Sequence, residues 1–276
     1  MVTSRTFADM KKHHFIVIEP QDEENYENAL DNFGIREYVT LLIAPFSNHG
    51  DGPGRARNWC WDHSMSIGAE AHWVFDDNID GFYRLHKNHR IRIKTPSLFR
   101  ACEDFVDRYE NVPLSGLQYR MFAPPDGKLP PFVANCRIYS ALLIKNDCPH
   151  RWRGRYNEDT DLSLRVLKDG LCTIQFNILL QEKMVTQALA GGNTDEFYHA
   201  ENSEAIEKGW NALGTYNKSK MLKEMHPDVA KVVWRFNRIH HHVDYSPFKK
   251  NLLKLKKGVQ IKEDVNNYGI VFAKVV

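Results

Sequence analysis

The stretch Ala71-His72-Trp73-Val74-Phe75-Asp76-Asp77-Asn78 decides the fold. A short apolar and aromatic run of this length reads as a buried strand, and it stops on two carboxylates and an amide. Adjacent carboxylates at the end of an apolar strand resist joint ionisation unless a cation or another partner neutralises them. In an α/β sheet the carboxyl ends of strands are where ligands collect. Asp76, Asp77 and Asn78 supply hard oxygen ligands suited to Mg²⁺ or Mn²⁺, with waters and phosphate oxygens completing the shell; a solvated acidic turn is the alternative.

Upstream lies Asn48-His49-Gly50-Asp51-Gly52-Pro53-Gly54-Arg55-Ala56-Arg57-Asn58, a Gly-rich loop running into a helix expected over 55–68. Glycines let backbone approach an oxygen-rich ligand, a helix N-terminus offers unpaired N–H groups, and Arg55 and Arg57 add full charges. A diphosphate suits that arrangement, and a flexible turn suits it as well. The spacing matches neither a GxxxxGK[ST] loop nor a GxGxxG loop, so P-loop and dinucleotide chemistry are not supported. Further upstream, a β-branched run at 14–18, an amphipathic helix at 22–33 closed by Gly34, and a strand at 38–44 make a βαβ unit. Such a unit predicts a parallel sheet with helices on its faces.

Downstream, Thr95-Pro96 starts a helix at 97–109, strands are expected at 117–122 and 137–145, and Asn157 caps a helix over 158–168 that stops at Gly170. A strand follows at 171–183. Three acids, Glu158, Asp159 and Asp161, open the 158–168 helix, where they complement its dipole, and Asp161 to Arg165 is an i, i+4 pair. Glu158 and Asp159 also sit where a carboxylate can face a cleft and act as general base for an acceptor hydroxyl.

The chain has 276 residues, 42% hydrophobic and 26% charged, with 37 Lys and Arg against 35 Asp and Glu. That balance excludes a fibrous or disordered chain. The best apolar run, Tyr38–Phe46, contains Thr40 and Pro45 and is far short of the roughly 20 residues a spanning helix needs. A polar Met1–His14 without an apolar signal core points to the cytoplasm, of an infected host cell if the chain is phage-encoded. Five scattered cysteines without a CxxC pair read as free thiols in a reducing compartment.

Charge is unevenly placed. Between Lys218 and Lys257, 11 Lys or Arg face three acids, a local +8 that leaves the remainder at −6. Trp234, Phe236, Tyr245 and Phe248 interleave with these cations, and His240-His241-His242 lies among them. Such a surface suits phosphodiesters, and a solvated Lys-rich helix is the bland alternative. A boundary is expected near 190, before Gly191-Gly192, dividing a catalytic part, 1–190, from a basic, mainly helical extension, 191–276.

The order of these features over residues 13–190 resembles GT-A glycosyltransferases. The motifs W-V-F-D-D-N-I-D-G-F, Y-N-E-D-T-D-L-S-L-R and W-R-F-N-R-I-H-H-H-V-D-Y are similar, more narrowly, to those of the phage TET-associated glycosyltransferases, which attach sugar to 5-hydroxymethylpyrimidines in DNA. The resemblance implies a Rossmann-like GT-A fold with a mixed, mainly parallel sheet, and transfer from a UDP-sugar to 5-hydroxymethylcytosine. By position it places Arg57, Asn58, Asp76 and Asp77 on the donor, Asp76, Asn78 and His199 on Mn²⁺ or Mg²⁺, and Asp159 or Glu158 on the acceptor. Arg235, Arg238, His241, Lys249 and Lys250 would meet DNA. The triplet is D-D-N rather than D-x-D, which leaves the direct ligand open between Asp77 and Asn78. Rival readings are a sugar transferase for a polysaccharide, protein or lipid acceptor, two-metal nucleotidyl transfer, and a DNA-binding module on a decayed scaffold. No membrane or protein partner is expected.

Overall fold

The computed structural model describes residues 1–47, 50–126, 128–184, 215–235, 238–259 and 272–273. Strand β3 spans Ala71–Phe75, as its apolar run predicts, and pairs antiparallel with β8 (Ala141–Lys145), Phe75 opposite Ala141. From this edge the sheet runs inward through β8, β6 (Leu114–Tyr119), β9 (Thr173–Lys183), β4 (Ile79–His86) and β5 (His89–Ile93) to β12 (Phe272–Ala273), with β7 (Phe132–Ala134) also paired to β9. The βαβ unit at the N-terminus is present as β1 (His14–Ile18), α2 (Glu23–Phe33) and β2 (Val39–Ile43), and its strands are parallel. Gly34 ends α2 at φ 62°, a left-handed cap that glycine adopts without a Cβ clash.

The class is α/β with a mixed sheet, but the expected parallel majority is wrong. Among the described residues, β6–β9 is the one parallel pair in the eight-stranded sheet, and β1–β2 hydrogen-bond as a separate two-stranded sheet. Parallel neighbours need a crossover, whereas β4 and β5 are joined by a two-residue turn, Lys87-Asn88, with both φ angles positive at 45° and 63°.

Helix α1 (Val2–Asp9) occupies a segment read as a polar lead-in. Its Thr3 pins the end of β3: Oγ1 donates to the Asp76 carbonyl at 2.6 Å and accepts the Ile79 N–H at 2.8 Å, while its N–H reaches the Asp77 carbonyl at 3.0 Å. Phe7 enters the main core beside Phe75, Phe82 and Phe99. Thr3→Val keeps the shape and removes both Oγ1 bonds, so unfolding in denaturant should show a loss of about 1–2 kcal/mol.

The remaining α-helices among the described residues are α3 (Gly54–Ser66), α4 (Ser97–Val106), α5 (Glu158–Lys168) and α6 (Thr215–Met225). The extension, expected to be mainly helical, holds among its described residues one α-helix, a short 3-10 helix at Ser246–Lys250, strand β12 of the main sheet and an antiparallel hairpin of β10 (Ala230–Arg235) and β11 (Arg238–Val243). Alternation explains the change, because Val232, Ile239, His241 and Val243 share one face at period two while Lys231 and Arg235 share the other. The extension packs on α5, with Leu164 and Leu167 against Leu222, Val229, Ala230 and Phe248.

Asp161 ties the two parts together. It is wholly buried and accepts from Arg153, Arg165 and the His226 Nε2, at 2.8–3.2 Å. Burial opposes its ionisation, but the His226 and Arg153 hydrogen bonds and the Arg165 charge hold it below the usual carboxylate range. A depressed folded value contributes stability that is complete above the unfolded pKa, about 3.9, and lost as pH falls through the folded one. Melting temperature measured from pH 7 to pH 3 should therefore drop less steeply below pH 4 in Asp161→Asn, whose melting point is already lower at pH 7.

Candidate active site

Arg57 is the centre of the site. Helix α3 carries it between the end of β3 and the start of α5, where Nη2 donates to Asp76 Oδ1 at 2.9 Å and Nη1 to Glu158 Oε1 at 2.8 Å. Burial works against the guanidinium charge, but Glu158 and Asp76 outweigh it and keep Arg57 above its ordinary value. Its guanidinium also lies 4.7 Å from the Trp152 ring. One guanidinium therefore joins the two acidic motifs, separated by about eighty residues in the chain, at a single place.

The other Asp76 oxygen accepts from Ser140 Oγ at 2.7 Å and from the Lys183 ammonium at 2.6 Å. Burial raises the cost of its charge, and Arg57 and Lys183 more than offset it, so Asp76 is held below the usual carboxylate range. Tyr119 Oη lies 2.6 Å from Ser140 Oγ and extends the network. Lys183 closes β9, and neither it nor Ser140 is signalled by a motif. Their only trace in the sequence is an isolated lysine at the end of a long apolar strand and a serine before another.

Both oxygens of Asp76, expected on the metal, face cations in this structure, Arg57 on one side and Lys183 on the other. Asn78 fits a divalent ion better: its Oδ1 is buried and has no hydrogen-bond partner among the described residues, and the neighbouring Asp77 side chain is exposed. Among the described residues, no group of three His, Cys, Asp or Glu side chains is placed to hold a metal ion. His199 lies outside the described residues.

Asn58, expected on the donor, uses its amide to clamp the Trp152 backbone, donating to the carbonyl at 2.9 Å and accepting the N–H at 3.0 Å. Trp152 is thereby fixed beneath Arg57. In the Gly-rich loop, residues 48 and 49 lie outside the described residues. Gly52 has φ 84°, and a Cβ there would strike the Arg155 carbonyl, so close packing against the 152–155 loop is what requires glycine. Arg55 pairs with Asp51 at the surface.

The first turn of α5 presents both candidate acceptor residues. Asn157 enters it at φ 51° and caps nothing with its side chain, which instead donates to the Lys218 carbonyl of α6 at 2.7 Å. Glu158 is committed to Arg57, and burial together with the adjoining Asp159 raises it above the usual carboxylate range. Asp159 is half-buried; Oδ1 accepts from the Thr160 N–H at 2.6 Å and hydroxyl at 3.1 Å, and Oδ2 has no partner among the described residues.

A family model for the TET-Associated Glycosyltransferase matches residues 2–192, most of the chain. The chain belongs to this family. It is therefore a glycosyltransferase, and the matched span holds the βαβ unit, the Asp-Asp-Asn triplet and the Glu-Asp helix start. No curated protein and no solved structure matches it. No helix among the described residues of this glycosyltransferase is long and apolar enough to cross a membrane.

The residues expected to meet DNA divide between two faces. Arg235, Lys249 and Lys250 are exposed, Arg235 opposite Arg238 at the hairpin tip. His241 points inward, where burial, with Arg137 and Lys218 nearby, lowers it to about 4, so it is uncharged at neutral pH. Trp234 is exposed and Tyr245 is largely buried.

Proposed function

We propose that this glycosyltransferase moves a sugar from a nucleotide-sugar, a UDP-sugar, to the hydroxyl of a 5-hydroxymethylpyrimidine, 5-hydroxymethylcytosine, in DNA. The observation that carries it is the Arg57 bridge between Asp76 and Glu158, which brings the donor and acceptor motifs of the family into one site. Arg57 and Lys183 are held beside Asp76 as fixed N–H donors, their charges balanced by Asp76 and Glu158, and preorganised donors in a partly desolvated site stabilise a departing diphosphate without reorganising. A divalent ion held through Asn78 and Asp77, Mn²⁺ or Mg²⁺, supplies further neutralisation of that leaving group when bound.

In the transfer, the hydroxymethyl oxygen forms a bond to the sugar's anomeric carbon as the bond from that carbon to the phosphate oxygen breaks. The electron pair leaves with the nucleoside diphosphate, and the hydroxyl proton passes to Asp159 Oδ2. Glu158 acts as a positioning residue for Arg57. Mass spectrometry of 5-hydroxymethylcytosine DNA incubated with a panel of UDP-sugars and Mn²⁺ tests the reading. A hexose added to the base with release of UDP supports it, and a uridylyl group added to the base with release of sugar 1-phosphate would redirect it to nucleotidyl transfer.

Exposed cations on the extension support DNA as the acceptor over a neutral glycan. Arg235→Glu with Lys249→Glu and Lys250→Glu takes away up to three cations that would neutralise backbone phosphates. The slope of log affinity against log salt should fall by roughly 0.9 for each phosphate no longer neutralised. Titration of a labelled duplex between low and moderate salt measures it, and an unchanged slope would assign the cations another task.

A further inference from the structure

Between the sheet and the extension hairpin lies a cleft of about 300 Å³, lined by Arg137, Tyr139 and Gln175 on the body and by His241, Val243 and Tyr245 on the extension. That volume falls at the small end of ligand pockets, roughly 300–1,000 Å³. Nothing in the sugar-transfer chemistry described above uses it.

Its chemistry is particular. The Arg137 guanidinium lies 4.3 Å from the Tyr139 ring centroid, a planar cation backed by an aromatic ring. Tyr245 Oη is buried and has no hydrogen-bond partner among the described residues, an orphan that can both donate and accept. Gln175 Oε1 accepts from Gln118 at 3.0 Å, which fixes its amide orientation and leaves its NH₂ without an acceptor among the described residues. Flat stacking surfaces plus a few hydrogen-bonding groups are what a protein offers a base removed from its stack. A phosphate would use Arg137 and accept from the hydroxyl, but it would gain nothing from a flat stacking surface.

The cleft is also in the right place. The charge of Asp159 acts on Arg137, Tyr139, His241 and Tyr245 on this side and on Arg57 on the other. The carboxylate proposed to take the acceptor proton is therefore within electrostatic reach of both the donor-side cluster and the cleft. Exposed Lys249 and Lys250 belong to the same extension that forms the cleft's outer wall.

We propose that this cleft receives a single hydroxymethylated pyrimidine turned out of the duplex, stacked on the Arg137 guanidinium that covers Tyr139 and hydrogen-bonded by Tyr245 and Gln175, with its hydroxymethyl group directed to Asp159. The proposal rests on the DNA-acceptor reading above. It excludes modification of the base while it remains paired in the major groove.

The test uses the full chain and a duplex with 2-aminopurine beside 5-hydroxymethylcytosine. Binding should raise 2-aminopurine fluorescence several-fold, and Tyr245→Phe and Arg137→Ala should each lower that rise while leaving the salt slope of duplex binding unchanged. Unpairing costs least at a mismatch, so transfer to a 5-hydroxymethylcytosine opposite an abasic site should exceed transfer to the matched duplex by roughly tenfold or more in kcat/KM. Should Arg137→Ala fail to fold, Tyr245→Phe, which loses one oxygen, carries the comparison. Sugar transfer to matched duplex with no fluorescence change and no abasic-site advantage would overturn the inference and leave the acceptor reading standing. Neither binding nor modification of hydroxymethylated DNA by the wild type would overturn both.

Discussion

Replacing Asp159 with asparagine is expected to slow sugar transfer by about two to four decades, the range general-base catalysis supplies. The variant keeps the side-chain volume and the oxygen that accepts from Thr160, so the first turn of α5 should stay in place. What disappears is the capacity of Oδ2 to take the acceptor proton. Donor binding, measured by calorimetry with UDP, should be nearly unchanged, because Arg57 is held by Glu158 and Asp76 rather than by Asp159. A variant retaining more than a tenth of wild-type kcat would place the base elsewhere. If kcat is intact and KM rises, Asp159 only binds the acceptor.

Asp76→Ala is expected to act on both stability and turnover. The wild-type carboxylate faces Arg57, Lys183 and Ser140, with four-fifths of its side chain removed from solvent. Removing one member of a buried ionic network leaves the others uncompensated, typically at about 3–5 kcal/mol. At roughly 2–4 °C per kcal/mol for a chain approaching this size, the melting temperature should fall by about 6–20 °C. Transfer should also be lost at temperatures where the variant remains folded, since Lys183 then has no anchor and Arg57 is held by Glu158 alone. Lys183→Met in the Asp76→Ala background should recover part of the stability and none of the activity. A thermal shift under about 2 °C for Asp76→Ala would show that the network contributes little.

The sequence was most legible where one local rule acted alone. Ala71–Phe75 and Glu158–Lys168 occupy the spans their patterns predict, the first bounded by acids and the second by a cluster of acids and Gly170. The joining of Asp76 to Glu158 was implied by family likeness, but the agent that joins them, Arg57, was expected on the donor alone. Lys183 and Ser140 were invisible because their importance lies in strand pairing: Lys183 stands opposite Ile79 in the register of β4 and β9, close to the triplet. Helix α1 was missed because its anchoring residue is a threonine, ordinary in composition and informative only through its bonds to residues 76–79. The β4–β5 hairpin turns on Lys87-Asn88 without glycine, so only Asn88 hinted at a left-handed turn. In the extension, a high density of Lys and Arg suggested a helix, whereas the alternation of Val232, Trp234, Ile239 and His241 was the better guide.

The seam between the extension and α5 has a practical consequence. Leu164 and Leu167 are buried there, and Asp161 shares His226 across it, on the same short helix as the residue proposed to take the proton. Exchanging tails between relatives would therefore transplant half of a core, and the recipient would gain an ill-fitting joint along with any new preference. Acceptor choice in such a molecule is more readily retuned one position at a time, from inside the cleft wall, than by swapping cassettes.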